Sequence, residues 1–259
     1  MPQLSPKSQM MSELDCSWAY PPGDLVLNDD EVHVWCASLN QTASGIDRLA
    51  HSLSLEECKR AERFYFPKDR LRFIVRRGLL RTILGYYSGI EPSRVQLCYG
   101  SNGKPALEKI SSAAAFRFNM SRSGDLALYA VTRYVEIGVD LEGVGRLPDA
   151  EQIVERFFSP AERATFHSLP SDQKLHAFFN CWTRKEAYLK ALGDGLSRSL
   201  DDFDVSLAPG EPARLLRVKG NPHEVSRWSL CELNPAKGYA AALAVEGHGW
   251  SLACWQWIE

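Results

Sequence analysis

Three carboxylates carry the chemistry that this sequence suggests. Asp140 and Glu142 stand two residues apart in Gly138-Val139-Asp140-Leu141-Glu142. Glu186 lies far along the chain, in Trp182-Thr183-Arg184-Lys185-Glu186-Ala187-Tyr188-Leu189-Lys190. The first stretch reads as a strand ended by Gly143 and Gly145, and on a strand residues i and i+2 project to the same side. Two carboxylates so placed repel one another, so water at the strand end or a divalent cation must offset them. The second stretch reads as a helix, with good helix formers throughout and Gly193 and Gly195 past its end. Trp182, Glu186 and Lys190 recur every four residues and share one face. Alone, Glu186 and Lys190 are a surface ion pair. With Asp140 and Glu142, Glu186 completes a set of oxygen donors that suits Mg²⁺ or Mn²⁺ rather than zinc.

Mg²⁺ keeps waters and usually shares its sites with substrate phosphates, so cations elsewhere in the chain matter. Arg60, Arg63, Lys68, Arg70, Arg72, Arg76, Arg77 and Arg81 form a local concentration of positive charge in a chain of net charge −2. Such a run is either a solvated helix face or an anion site, and guanidinium geometry suits phosphate. Gly103-Lys104-Pro105 is a turn with a Lys and lacks the Walker spacing. Arg122-Ser123-Gly124-Asp125 is a polar turn that, with the Ser121 hydroxyl before it, can hold a phosphate or simply close a hairpin. From the residues alone, the chain reads as a Mg²⁺-dependent enzyme acting at a pyrophosphate.

The elements that must position these groups follow from pattern. Val32–Leu39 alternates as a strand. Ser54-Leu55-Glu56-Glu57 has capping-box spacing and starts a helix to about Phe66, interrupted by Pro67. A second helix runs from Asp69 to about Tyr87. Strands follow at Val95–Tyr99, Phe116–Ser121, Leu126–Val131 and Val135–Glu142. Ser159-Pro160-Ala161-Glu162 opens another helix, and Ser171 or Asp172 caps the long helix that carries Glu186. Beyond Leu196 the chain turns to strands. Helices precede strands on both sides of Arg133-Tyr134, which suggests an α+β fold of two similar halves, 21–133 and 134–259, behind a loose tail at 1–20.

The 259 residues, 45% of them hydrophobic, suffice for one large domain or two modest ones. The charge balance gives no global basic field for nucleic acid. No stretch is apolar enough to span a membrane, and Met1–Met11 lacks a signal-peptide core. Seven scattered cysteines without Cys-x-x-Cys spacing point to free thiols in a reducing cytoplasm.

In order along the chain, Arg72-Phe73, Gly103-Lys104-Pro105, Phe118-Asn119-Met120-Ser121-Arg122-Ser123-Gly124, Gly138-Val139-Asp140-Leu141-Glu142, Phe157-Phe158-Ser159-Pro160-Ala161-Glu162 and Trp182 to Lys190 resemble the 4′-phosphopantetheinyl transferases of the surfactin-synthetase-activator type. The likeness runs from about Arg60 to Leu196. It implies a monomer of two similar α+β halves, each a small, mostly antiparallel sheet packed by helices, with the site between them. It implies transfer of the 4′-phosphopantetheine arm of coenzyme A to a serine of an acyl or peptidyl carrier protein, with release of 3′,5′-ADP. By the same likeness Asp140, Glu142 and Glu186 hold Mg²⁺, Glu186 is also the base for the carrier serine, and Lys190 stabilises the pyrophosphate. Lys185 takes a lesser role. Lys104 and Pro105 border the adenine, and Arg60, Arg72, Ser121 and Arg122 contact phosphates. Trp182 orders its helix by packing. Arg122 stands where the family usually has His, and Glu57 stands where relatives carry a basic residue. A non-catalytic coenzyme A or carrier-protein binding module and a Mg²⁺-dependent phosphohydrolase remain as alternatives.

Overall fold

The computed structural model of the protein describes residues 17–100, 102–108, 116–193 and 198–259. Most of the expected N-terminal tail, Ser101 of the first turn, and Gly195 and Leu196 therefore lie outside the described residues. The strands are β1 (Trp18–Ala19), β2 (Glu31–Ser38), β3 (Leu97–Tyr99), β4 (Pro105–Leu107), β5 (Arg117–Ser123), β6 (Leu126–Thr132), β7 (Ile137–Gly143), β8 (Phe203–Val205), β9 (Leu215–Val218), β10 (Trp228–Leu233), β11 (Tyr239–Glu246) and β12 (Ser251–Gln256). The α-helices are α1 (Ala43–His51), α2 (Leu55–Glu62), α3 (Pro67–Ser88), α4 (Ala150–Phe157), α5 (Pro160–Ser168) and α6 (Ser171–Leu192).

A five-stranded sheet has the order β1-β12-β2-β6-β5, and a three-stranded sheet has the order β10-β11-β7. Side-chain alternation along the strands sorts their residues into layers. Trp35, Ala37, Tyr129 and Val131 pack with Val75, Leu79 and Ile83 of α3. The opposite faces of the same strands give Val34, Leu128 and Ala130, which pack with Val139, Leu141, Leu243 and Val245 of the second sheet. A third cluster joins Ala187 and Leu189 of α6 to Ala242 and Ala244 of β11. The result is helix, sheet, sheet, helix, a mixed α+β fold.

Several boundaries differ from expectation for identifiable reasons. Helix α2 stops at Glu62 rather than Phe66, and α3 begins at Pro67 rather than Asp69, with Pro in its first turn. The residue before a proline is driven out of the α region, so Phe66 adopts extended angles and caps α3 from outside. Helix α6 starts at Ser171 after Pro170, without a side-chain cap. Helices α1 and α4 are short additions to the expected elements. Of the expected tail, Trp18 and Ala19 form a strand against β12. Strand β12, from the end of the chain, lies parallel to β2. The sheet of the first half thus takes a strand from the second. Cys36, Cys58, Cys98, Cys181 and Cys231 are free thiols, whereas Cys254 is disulfide-bonded, contrary to the expectation of free thiols throughout. Among the described residues no helix is long and apolar enough to cross a membrane.

Candidate active site at the seam of the two sheets

Strand β5 is an edge of the first sheet and β7 an edge of the second. Alternate side chains of β5 join them. The Asn119 side-chain oxygen accepts from the Val139 N–H at 3.0 Å. The Ser121 hydroxyl donates to Asp140 Oδ1 at 2.9 Å. The Ser123 hydroxyl donates to Glu142 Oε2 at 3.0 Å and accepts from the Gly143 N–H at 2.9 Å. Asn119 and Ser123 are additions to the expected site residues. Their signal in the sequence is the polar alternation Asn-x-Ser-x-Ser on an otherwise apolar strand.

On β7, Gly138, Asp140 and Glu142 face α6. A Cβ on Gly138 would lie 2.0 Å from the Ala187 carbonyl oxygen and 2.4 Å from the Ala191 nitrogen. This glycine is therefore what lets α6 lie directly on the strand. That approach brings Lys190 Nζ to 2.5 Å from Asp140 Oδ1, 3.0 Å from Ser121 Oγ and 3.3 Å from the Val139 carbonyl. Lys190 thus pairs with Asp140 rather than with Glu186 on its own helix.

Burial pushes the Asp140 carboxyl above the usual range, against the opposing pull of Lys190 and Ser121. Burial, and then the Asp140 charge, raise Glu142. Glu186 is raised by burial first, then by Asp140, with Glu142 adding to the effect and Lys190 opposing it. The Asp140 charge thus acts on both Glu142 and Glu186, and the Glu142 charge acts on Glu186. Among the described residues no three Asp, Glu, His or Cys side chains form a preassembled metal cluster. Asp140 Oδ2, however, is buried without a hydrogen-bond partner. A buried acceptor left unpaired costs roughly 1–3 kcal/mol, and a hard cation is the natural partner for a carboxylate oxygen among further carboxylates. The residues fit a Mg²⁺ or Mn²⁺ ion that completes its shell with water and substrate oxygens.

The rest of the helix motif is structural. Trp182 stacks on Phe178 at 6.0 Å and meets Phe157 edge-on at 6.2 Å. Lys185 is fully buried, 2.8 Å from Glu162 and bonded to the Leu200 and Phe203 carbonyls. Glu162 also closes the capping box of α5 with Ser159 and accepts from the Val205 N–H. Arg184 is buried against the Ser206 carbonyl and Glu232.

A cavity of about 280 Å³ opens beside this arrangement, and Lys104, Pro105, Asn119, Glu186 and Lys190 line it. Lys104 Nζ donates to Glu136, to the Ile137 carbonyl and to the Ala191 carbonyl. Burial lowers its pKa, and the Glu136 charge opposes that. A larger cavity of about 620 Å³, lined by Trp35, Tyr86 and Trp257 among others, contains none of the expected site residues.

The arginine run divides. Arg77 and Arg81 both bond Glu57 through Nε, at 2.7 and 2.5 Å, and all three are buried. Glu57 is thus the anchor of two α3 arginines, which leaves them out of a solvent-facing anion site. Arg60 is exposed, with its guanidinium 5.5 Å from the Phe73 ring centre. Arg72 pairs with Asp125. Arg122 leaves β5 on the face opposite Ser121, so these neighbours in sequence serve different places. Ser121 bonds Asp140, and Arg122 leaves on the face whose Phe118 and Met120 pack with α3, where its charge acts on Arg76.

A family model described as the 4′-phosphopantetheinyl transferase superfamily matches residues 136–244, and one described as 4′-phosphopantetheinyl transferase, N-terminal, matches residues 37–133. The 4′-phosphopantetheinyl transferase HetI of Nostoc sp. is 44% identical over 94% of this chain and 100% of its own length. A 4′-phosphopantetheinyl transferase of Bacillus subtilis is 32% identical over 62% of this chain and 69% of its own. The solved holo-[acyl-carrier-protein] synthase of Thermotoga maritima is 23% identical, with a TM-score of 0.36 over 45% of this chain and 66% of that one. On the strength of the Nostoc relative and the two family matches, the chain belongs to the 4′-phosphopantetheinyl transferases, a family of transferase enzymes.

Proposed function

We propose that this protein transfers the 4′-phosphopantetheine arm of coenzyme A to a serine of an acyl or peptidyl carrier protein, in a Mg²⁺-dependent reaction that releases 3′,5′-ADP. The observation that carries this reading is Asp140, held through one oxygen by Ser121 and Lys190 with its other oxygen buried and unpaired, beside a cavity lined by Glu186 and Lys190.

Asp140, Glu142 and Glu186 would hold the ion, with Mn²⁺ able to replace Mg²⁺. Once bound, the ion neutralises charge on the pyrophosphate and polarises its phosphoryl oxygens. Glu186 accepts the proton of the carrier serine, directly or through water. A carboxylate raised by burial and like charge is a better base than a solvated one. The serine oxygen forms a bond to the pantetheine-bearing phosphorus, and the phosphorus–oxygen bond to the departing nucleotide breaks. Lys190 stabilises the charge that collects on that leaving phosphate. Lys104 and Pro105 border the adenine from the cavity wall, and Arg60, Arg72, Ser121 and Arg122 complete the phosphate environment. On this reading the site lies between the halves 21–133 and 134–259. The enzyme works in the cytoplasm as a monomer, without nucleic-acid or membrane partners.

The test is incubation with a panel of apo-carrier proteins, coenzyme A and Mg²⁺, read by intact mass. Gain of phosphopantetheine on a carrier supports transfer. Coenzyme A cleavage without carrier modification indicates a phosphohydrolase, and binding without either change indicates a non-catalytic module.

A further inference from the structure

Arg76 has no part in the reaction described above, yet its surroundings do not explain it. It lies on α3 one turn after Arg72. Its guanidinium stands 5.8 Å from the Phe73 ring centre, the same ring that Arg60 approaches to 5.5 Å. Arg122 leaves β5 on the face whose Phe118 and Met120 pack with α3. Burial first, then the charges of Arg122, Arg77 and Arg60, hold the Arg76 pKa below the usual arginine range, with only Tyr129 opposing them. The Nε of Arg76 is buried without a hydrogen-bond partner, and so is the Nε of Arg72 one turn earlier.

The nearby carboxylates are committed elsewhere. Glu57 is taken by Arg77 and Arg81, and Asp125 by Arg72. Among the described residues no ion pair holds Arg60, Arg76 or Arg122. Guanidinium groups gathered with unsatisfied N–H groups are the donor half of a phosphate site. They also lie on the opposite face of β5 from the Ser121–Asp140 bond, so this donor group is separate from the carboxylate and Lys190 arrangement. Coenzyme A carries both a pyrophosphate and a separate ribose phosphomonoester, so a ligand spanning two such places is chemically at hand.

We propose that Arg76 is a further phosphate-binding residue of this enzyme, acting with Arg60, Arg72 and Arg122 on a phosphate of coenzyme A. The proposal rests on the reading of coenzyme A as substrate. It is tested by calorimetric titration of wild type, Arg76→Gln and Arg76→Lys with coenzyme A and with 3′-dephospho-coenzyme A, alongside the melting temperature of each ligand-free protein. Loss of one charge-assisted contact is expected to weaken binding roughly tenfold or more in Arg76→Gln. Arg76→Lys should recover part of the loss. The ligand-free Arg76→Gln protein should melt no lower than wild type, because a like charge has been removed. A loss confined to coenzyme A assigns the ribose phosphate, and a loss with both ligands assigns the pyrophosphate; either supports the proposal. Wild-type affinity of Arg76→Gln for both ligands overturns it. A lowered melting temperature with no recovery in Arg76→Lys also overturns it, in favour of a structural role. Failure of the wild type itself to bind coenzyme A removes the functional reading and this proposal together, and so is distinguishable from failure of the proposal alone.

Discussion

Ser121 and Lys190, from different halves of the chain, meet on one oxygen of Asp140. The hydroxyl donates at 2.9 Å and the ammonium at 2.5 Å, while the second oxygen of the carboxylate stays buried and unpaired. Asp140 is thereby oriented, with one oxygen tied and the other available. Ser121→Ala should lower kcat/KM by about tenfold and cost about 1.5–3 kcal/mol of stability, the worth of one hydrogen bond to a charged group. Steady-state kinetics and urea denaturation check both. Full activity would mean that Lys190 orients Asp140 alone.

The raised carboxylates have a consequence for stability. A carboxyl whose folded-state pKa lies above its unfolded value contributes stability that is fully present below the unfolded pKa and is lost as pH rises through the folded pKa. Asp140, Glu142 and Glu186 are all raised. The metal-free protein should therefore lose stability as pH climbs above the ordinary carboxylate range. Glu186→Gln should melt higher than wild type at pH 7 to 8, with the difference closing toward pH 4. Added Mg²⁺ and coenzyme A should raise the wild-type melting temperature more than that of the variant. Scanning calorimetry across pH is the measurement, and a Glu186→Gln protein less stable at neutral pH would contradict the electrostatic account.

Gly138 sets the distance between strand and helix. The Ala187 and Ala191 backbones fill the space a side chain would need. Gly138→Ala should cost about 1–3 kcal/mol through overpacking and shift Glu186 and Lys190 away from Asp140. Chemical denaturation and kcat should fall together. A stable variant with normal kcat would show that the helix can withdraw without harm.

Lys185 stands next to Glu186 in sequence, but its buried partner is Glu162. Lys185→Met removes one side of a buried pair and leaves the other charge uncompensated, which costs about 3–5 kcal/mol. The expected result is a large drop in the denaturation midpoint, with little change in KM for coenzyme A in whatever folds. A selective rise in KM at unchanged stability would instead make Lys185 a ligand contact.

Much of this site was legible in the sequence because its signals are periodic. Two-residue spacing put Asp140 and Glu142 on one face of β7, and four-residue spacing put Trp182, Glu186 and Lys190 on one face of α6. The capping boxes at Ser54 and Ser159 marked two helix starts. What was not legible depends on which elements meet. The pairing of Lys190 with Asp140 needs α6 lying on β7, and the return of β12 to the first sheet is a long-range pairing with no local signature. The arginine run looked uniform along the chain. Only packing separates Arg77 and Arg81, bound to buried Glu57, from Arg60 on the surface.

Arg122 in place of the usual His carries its own expectation. Arg stays charged across the neutral range, whereas His titrates there. KM for coenzyme A should be nearly flat from pH 6 to 8 in wild type and should rise with pH in Arg122→His. Identical profiles in the two proteins would remove Arg122 from the phosphate contacts.

On the proposed function, carboxylates from β7 and α6 form one divalent-cation site completed by coenzyme A. Titration of Mn²⁺ followed by electron paramagnetic resonance, with and without coenzyme A, tests it without relying on turnover. One ion should bind per chain, more tightly with coenzyme A present, and binding should be lost or severely weakened in each of Asp140→Asn, Glu142→Gln and Glu186→Gln. Mn²⁺ binding unchanged in all three variants would contradict the account.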